Sequence, residues 1–256
     1  MWRAVGTSVA GTSHIKLNVP CQDHCAYQRI TIGSAQALLV AIADGAGSAS
    51  LSDIGARAAV DHLLGVIPAE LTDVLQLNED LLKRWLASTR RHLDDVASDC
   101  GADLRELACT ILVGVLGEFA SFFAQIGDGA WIVQRGTEYF AATWPSDGEY
   151  VNETTFLTSP AWAESIKSRT VLGRMSAAAG FTDGLQRLAL QFDSQSVHVP
   201  FFDPLFAVLR SADDETTLIS PLIEFLSSDR IAERTDDDKT LVLACRADPL
   251  LLLDAD

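Results

Sequence analysis

The chain is short of positive charge. Its 19 Lys and Arg stand against 35 Asp and Glu, a formal net charge of −16 over 256 residues. That balance excludes the broad basic footprint needed to hold nucleic acid or an anionic membrane. The cations it has are scattered, with no basic arm. Long apolar runs are also missing: Ala37–Ala43 and Ile111–Leu116 are strand-length, and the closing Leu250–Leu253 is shorter still. None approaches the roughly 20 residues that span a bilayer. The N-terminus, Met1-Trp2-Arg3-Ala4-Val5-Gly6, lacks the charged-then-apolar layout of an export signal. Cysteine is sparse and odd in number: Cys21, Cys25, Cys100, Cys109 and Cys245. Their irregular spacing predicts reduced thiols in a cytoplasmic protein rather than a disulfide framework. The cluster Cys21-Gln22-Asp23-His24-Cys25 has no second ligand pair elsewhere to complete a zinc site.

What is present is ordinary core material, 48% hydrophobic and 21% charged, enough to fold without covalent staples. No repeat, low-complexity tract or linker interrupts it, so a single domain over 1–256 is expected. Strands are predicted at 2–10 and 24–32, with a fully buried one at Gln36–Ala43. Ser52 or Asp53 caps a helix whose Val60, Leu63, Leu64 and Ile67 fall on one face, with Pro68 as its stop. A second helix starts after Asn78 and aligns Leu82, Trp85, Leu86, Thr89, Leu93 and Val96. Short apolar segments with Gly-containing turns follow at Thr110–Leu116, Phe119–Ile126, Ala130–Gln134 and Glu138–Thr143, reading as an antiparallel meander. Residues 144–169 then lose all periodicity, and such a segment inside a compact domain is usually functional or mobile. An apolar stretch at Met175–Phe181, helical signals at Pro204–Leu209 and Pro221–Leu226, and a strand at Thr240–Cys245 complete the order. The class is α+β, antiparallel sheet faced by helices.

The chemistry is carried by aspartates with one shared setting. Asp44-Gly45 follows a buried strand, Asp128 sits between glycines and between strands, and Asp183-Gly184 follows an apolar strand. Asp237 and Asp238 precede the last strand. Taken alone, Asp-Gly is a favoured turn dipeptide and an acidic triplet is a solvated loop. Their recurrence at strand ends is different, because converging carboxylates without a cation would repel and resist ionisation. Oxygen ligands without His or Cys favour magnesium or manganese over zinc. Two such ions about 3.5–4 Å apart could orient a water, lower its pKa and polarise a phosphoryl group.

The ordered set Gln22-Asp23, Asp44-Gly45, Ala108-Cys109-Thr110, Gly127-Asp128, Thr182-Asp183-Gly184 and Asp237-Asp238-Lys239-Thr240 resembles the metal-dependent protein phosphatases of type 2C, the PPM family. Ser13-His14 ahead of Cys21-Gln22-Asp23 is similar to its small stand-alone bacterial members. The resemblance spans nearly the whole chain. It implies a four-layer αββα sandwich of two antiparallel sheets flanked by helices, holding two Mn2+ or Mg2+ ions and a third, weaker one. By position, Asp44 would bridge the ions and the Gly45 carbonyl would hold one. Asp183 and Asp237 would add carboxylates, Asp128 would serve the third ion, and Gln22 lies where the family has a charged Glu. Asp238 occupies a usual Asn position, and which of Asp237 and Asp238 is the ligand stays open. Asp23 would orient water, and the segment 144–169 would be a substrate-facing flap.

The implied activity is hydrolysis of phosphoserine and phosphothreonine in proteins, opposite a cognate serine/threonine kinase in the cytoplasm. Ala46 stands where many eukaryotic members carry a His general acid, and Asn18 where an Arg often contacts phosphate. These departures turn attention to His14 as phosphate contact or proton donor, with Lys16, Arg169 and Arg174 as further phosphate candidates. They also admit an alternative, a silent member that binds phosphoproteins or a signalling partner.

Overall fold

The computed structural model describes residues 1–145 and 154–247. Its elements, in chain order, are β1 (Trp2–Val9), α1 (Thr12–Leu17), β2 (His24–Ile32), β3 (Ala35–Ala43), α2 (Ser52–Glu70), α3 (Glu79–Asp99), β4 (Ile111–Leu116), β5 (Ala120–Ile126), β6 (Ala130–Arg135), β7 (Glu138–Thr143) and β8 (Lys167–Leu172). After them come β9 (Ala177–Phe181), α4 (Gln186–Ala189), β10 (Leu190–Gln191), β11 (Ser196–Val197), α5 (Val199–Ser211), α6 (Ile219–Leu226), α7 (Asp229–Ala232) and β12 (Lys239–Arg246). Two five-stranded sheets result, ordered β1-β12-β9-β6-β7 and β2-β3-β4-β5-β8, beside a small β10-β11 pair. Every strand pairing among the described residues is antiparallel.

Side-chain alternation along β3 shows why the layers stack. Leu39, Ala41 and Ala43 face the helices, packing with Val60, Leu63 and Ile67 of α2 and with Leu82 and Trp85 of α3. Leu38, Val40 and Ile42 point the other way, toward Trp131, Ala178 and Val242 of the opposite sheet. The first sheet repeats the pattern, with Ile132, Phe181 and Leu243 under Phe202, Phe206 and Leu222 of α5 and α6. Three apolar layers therefore separate four structural ones, the expected αββα sandwich. Strands buried on both faces read as unbroken apolar runs, which is why Gln36–Ala43 stood out in the sequence.

Several local expectations are corrected. The meander does not stay in one sheet: β5 pairs with β4 and β8, whereas β6 pairs with β7 and β9. The chain crosses between sheets through Gly127-Asp128-Gly129, where Gly127 takes φ +104°, a conformation open chiefly to glycine. Pro68 does not stop α2, which runs on to Glu70. Its missing N–H leaves the Leu64 carbonyl free, and Gln28 Nε2 donates to that oxygen at 2.6 Å. The second helix starts after Asn78 as expected, and Asn78 caps it, its Oδ1 accepting from Leu81 N at 2.9 Å. The irregular segment ends at Ile166 rather than at 169, since β8 already begins at Lys167. Of that segment, residues 146–153 lie outside the described ones, as does Leu250–Leu253. No helix among the described residues is long and apolar enough to cross a membrane.

Candidate active site and metal centre

Antiparallel registers bring one end of each of several strands together. Lys239 pairs with Val9 and Leu241 with Phe181, so the entry of β12 lies beside the exits of β1 and β9. His24 pairs with Ala43, which sets Asp23 next to Asp44. The crossover at Asp128 completes the same end. The result is a cavity of about 210 Å³ lined by His14, Gln22, Asp44, Gly45, Asp128, Asp183, Asp237 and Asp238, with Thr110, Thr154 and Phe156. Of the nine residues given metal-binding or catalytic roles from the sequence, eight line it, whereas the further phosphate candidates Lys16, Arg169 and Arg174 do not. The ninth, Asp23, sits behind, 6% exposed.

Three carboxylates lie at the centre. Asp44, Asp128 and Asp183 each offer an oxygen, all within 4.8 Å of one another. Asp44 is fixed by a reciprocal clasp: its N–H donates to Thr110 Oγ1 at 3.0 Å, and Thr110 N–H donates to the Asp44 carbonyl at 2.8 Å. Gly45 is sterically required, since a Cβ there would sit 2.7 Å from the Gln22 carbonyl oxygen. Gly184 is tighter still, with a Cβ position 2.0 Å from the Asp238 carbonyl oxygen. Asp128 Oδ2 accepts from Thr154 Oγ1 at 2.8 Å, tying the start of the described part of 154–166 to the cluster.

Asp23 and Asp238 are supports of a different kind. Asp23 Oδ2 accepts from both Thr182 Oγ1 and Thr240 Oγ1 at 2.8 Å. Its Oδ1 is buried without a hydrogen-bond partner among the described residues, as is Gln22 Oε1. Asp238 is 3% exposed and engages both oxygens: Oδ1 accepts from Gly11 N at 2.7 Å, and Oδ2 from Gln22 N at 2.6 Å. His14 Nδ1 lies 2.9 Å from the same Oδ2. Among the described residues, neither Asp237 oxygen is so occupied from outside its own loop, although Asp237 lines the cavity and its Oδ1 accepts the next residue's N–H at 2.8 Å.

Electrostatics follow from this crowding. Burial, then the neighbouring Asp128 and Asp237, push the Asp183 carboxyl up to about 7. Burial pushes Asp23 up to about 8, with the Thr240 and Thr182 hydroxyls opposing and Asp238 and Asp183 adding to the rise. Asp44 is driven well above the carboxylate range by burial and by Asp23, Asp183 and Asp128. Asp237 rises as well, mainly through burial. All of these groups ionise together only against positive charge. The donor set is entirely oxygen, with two buried acceptor oxygens unpartnered, and it fits hard divalent cations.

Residues 10–227 match the family model of protein phosphatase 2C. The chain belongs to that family. A curated relative, serine/threonine-protein phosphatase 3 of Escherichia coli (strain K12), is 39% identical over 251 residues, covering 96% of this chain and 99% of its own. The fold recurs in a crystal structure of a bacterial serine phosphatase, with TM-score 0.64 and 15% identity over 97% of this chain and 99% of that one. It recurs in PppA, a key regulatory component of T6SS in Pseudomonas aeruginosa, with TM-score 0.61 and 18% identity over 95% and 97% of the two chains. As a type 2C protein phosphatase the chain is an enzyme of the serine/threonine class, in a family that depends on metal ions, and its substrates are phosphoproteins.

Within this type 2C site, several residues carry weight that sequence reasoning did not assign. Thr182 and Thr240 hold Asp23, Thr110 clasps Asp44, and Thr154 and Phe156 close the cavity. Thr110, Thr182 and Thr240 stand in the motifs quoted above, and Thr154 and Phe156 in the irregular segment 144–169, but nothing local marks their contacts. Other candidates lie elsewhere. Arg169 Nη1 donates to the Ala141 carbonyl at 3.0 Å, and Arg174 reaches Glu118 at 4.0 Å; neither Arg lines the cavity. Asn18 caps α1 in the left-handed region at φ 55°. Cys109 is buried beside Gly45, and burial pushes its thiol up to about 12, far from a nucleophile.

Proposed function

We propose that this chain hydrolyses phosphoserine and phosphothreonine monoesters through a binuclear centre of Mn2+ or Mg2+, with water as the nucleophile. One observation carries the reading: Asp44, Asp128 and Asp183, from separate strand ends, converge within 4.8 Å. Asp44, the Gly45 carbonyl, Asp183 and Asp237 would hold the two ions, with Gln22 contributing an uncharged oxygen and Asp128 serving a third, weaker ion. Asp237 is favoured over Asp238 as ligand because backbone N–H groups already occupy both Asp238 oxygens. When bound, the cations supply Lewis acidity that polarises the phosphoryl group and acidifies water.

The chain's own groups do the positioning. Two threonine hydroxyls fix one oxygen of Asp23, and its unpartnered Oδ1 remains to accept a hydrogen bond from the attacking water. The Thr110 clasp and the close packing at Gly45 keep Asp44 from swinging away. The irregular segment, ended by β8 at Lys167, is assigned as the flap that meets the substrate protein, on the strength of Thr154 and Phe156 at the cavity. A single domain, a cytoplasmic setting and a cognate serine/threonine kinase complete the proposal. The cytoplasmic setting is supported by five free cysteines.

The test is hydrolysis of a phosphoserine peptide with added manganese. Stimulation by the metal and abolition by EDTA, by Asp44→Ala and by Asp183→Ala are expected. Turnover that needs no metal and survives both substitutions would refute the reading.

A further inference from the structure

The cavity has an imbalance. Its described lining holds aspartates, an amide, threonines, a phenylalanine and small residues, and neither Lys nor Arg. His14 is the one described lining side chain with a basic nitrogen, and its placement is costly. Helix α1 buries none of its residues, and Ile15 and Leu17 are 67% and 72% exposed, so apolar packing does not hold it. Polar staples do. Ser13 N and Ser13 Oγ both donate to the Asp236 carbonyl, at 2.9 and 2.6 Å, and Gly11 N donates to Asp238 Oδ1 at 2.7 Å. Gly11 packs so closely that a Cβ there would lie 2.3 Å from the Asp236 oxygen. The whole loop of 236–238 is thus tied to the helix that carries His14. Asp238 Oδ2 lies 2.9 Å from Nδ1, an ion-pair contact without hydrogen-bond alignment, and Nε2 is the ring nitrogen away from that carboxylate.

We propose that His14 donates the proton to the departing serine or threonine oxygen, and that Asp238 is its positioning residue. The inference rests on the phosphatase reading above. A serine alkoxide is a strong base and leaves poorly unless it is protonated as the bond breaks. When the bond between phosphorus and the serine oxygen breaks, its electron pair goes to that oxygen, which takes the proton from Nε2. The water oxygen forms the new bond to phosphorus, and the proton that water gives up restores the imidazolium. The products are the serine hydroxyl and inorganic phosphate, with nothing oxidised or reduced. Asp238, held by two backbone N–H groups, cannot turn away, so it fixes the ring and balances its charge.

The experiment compares two leaving groups in the full-length enzyme with saturating manganese. A phosphoserine peptide needs protonation on leaving, whereas the nitrophenolate of p-nitrophenyl phosphate does not. His14→Gln is expected to lose about 10²-fold in kcat/KM on the peptide and about tenfold less than that on p-nitrophenyl phosphate. Across a series of aryl phosphates the variant's rate should fall more steeply with leaving-group basicity than that of the wild type. Asp238→Asn should show the same selectivity with a smaller peptide loss; if its melting curve shows an unfolded protein, His14→Gln alone decides. Equal losses on both substrates, or no loss on the peptide, overturn the role of His14. A wild type that hydrolyses neither substrate overturns the phosphatase reading itself and this inference with it.

Discussion

Along β3, Leu38, Val40 and Ile42 pack between the sheets among apolar side chains, and one residue past the strand end Asp44 meets Asp128 and Asp183. The interior and this rim obey opposite rules. Inside, each buried side chain removes apolar surface from water and stabilises the fold. At the rim, burial forces carboxyl groups against one another and raises their proton affinity, so the same folding step works against ionisation. The rim is assembled because the interior fixes the strand registers. A cation site is thereby held in a shape that its own charges oppose.

The largest effect should separate the two regions outright. Asp44→Ala is expected to lower phosphopeptide turnover by about 10³-fold, the several kcal/mol that Lewis-acid stabilisation contributes. The same variant should leave the metal-free protein no less stable, by melting temperature, because a repelling carboxylate has gone. Ile42→Ala should do the reverse. It should cost about 2–5 kcal/mol in denaturant unfolding while the folded fraction keeps its manganese dependence.

A pH series sharpens the contrast. Asp23 and Asp183 have folded pKa values raised from 3.8 to about 8 and about 7, so their contribution to stability is complete below the unfolded value and is lost as pH rises through the folded ones. In EDTA, the melting temperature should therefore fall between about pH 4 and pH 8. Added manganese should flatten that decline, and a decline equally steep with and without metal would separate these carboxylates from the cation site. Thr182→Val, which removes one of the two hydroxyls on Asp23, should reduce turnover about tenfold. The smallest effect tests the interior side: Gln28→Ala should cost about 1 kcal/mol by freeing the Leu64 carbonyl that Pro68 leaves unpaired.

The sequence showed the strand-end aspartates because an apolar run followed by Asp-Gly is a local pattern, and the two-faced burial of β3 made its run visible. What stayed hidden was non-local. Nothing in the short strands β5 and β6 tells whether they pair or part, and only the sheet order shows that Asp128 lies on a crossover. Helix α1 was unreadable because it has no buried residue and so no hydrophobic period. Asp237 and Asp238 are chemically identical neighbours, and their different partners come from Gly11, His14 and Gln22, more than 200 positions away in sequence. Thr182 and Thr240 were within the quoted motifs, but their shared bond to Asp23 needs three strand ends in register.

The central claim is that the rim exists to hold cations, and calorimetric titration of the metal-free protein with manganese tests it directly. The account predicts at least two bound ions in the wild type and the loss of that binding in Asp44→Ala. A wild type that binds fewer than two, or an Asp44→Ala variant that binds as the wild type does, would contradict it.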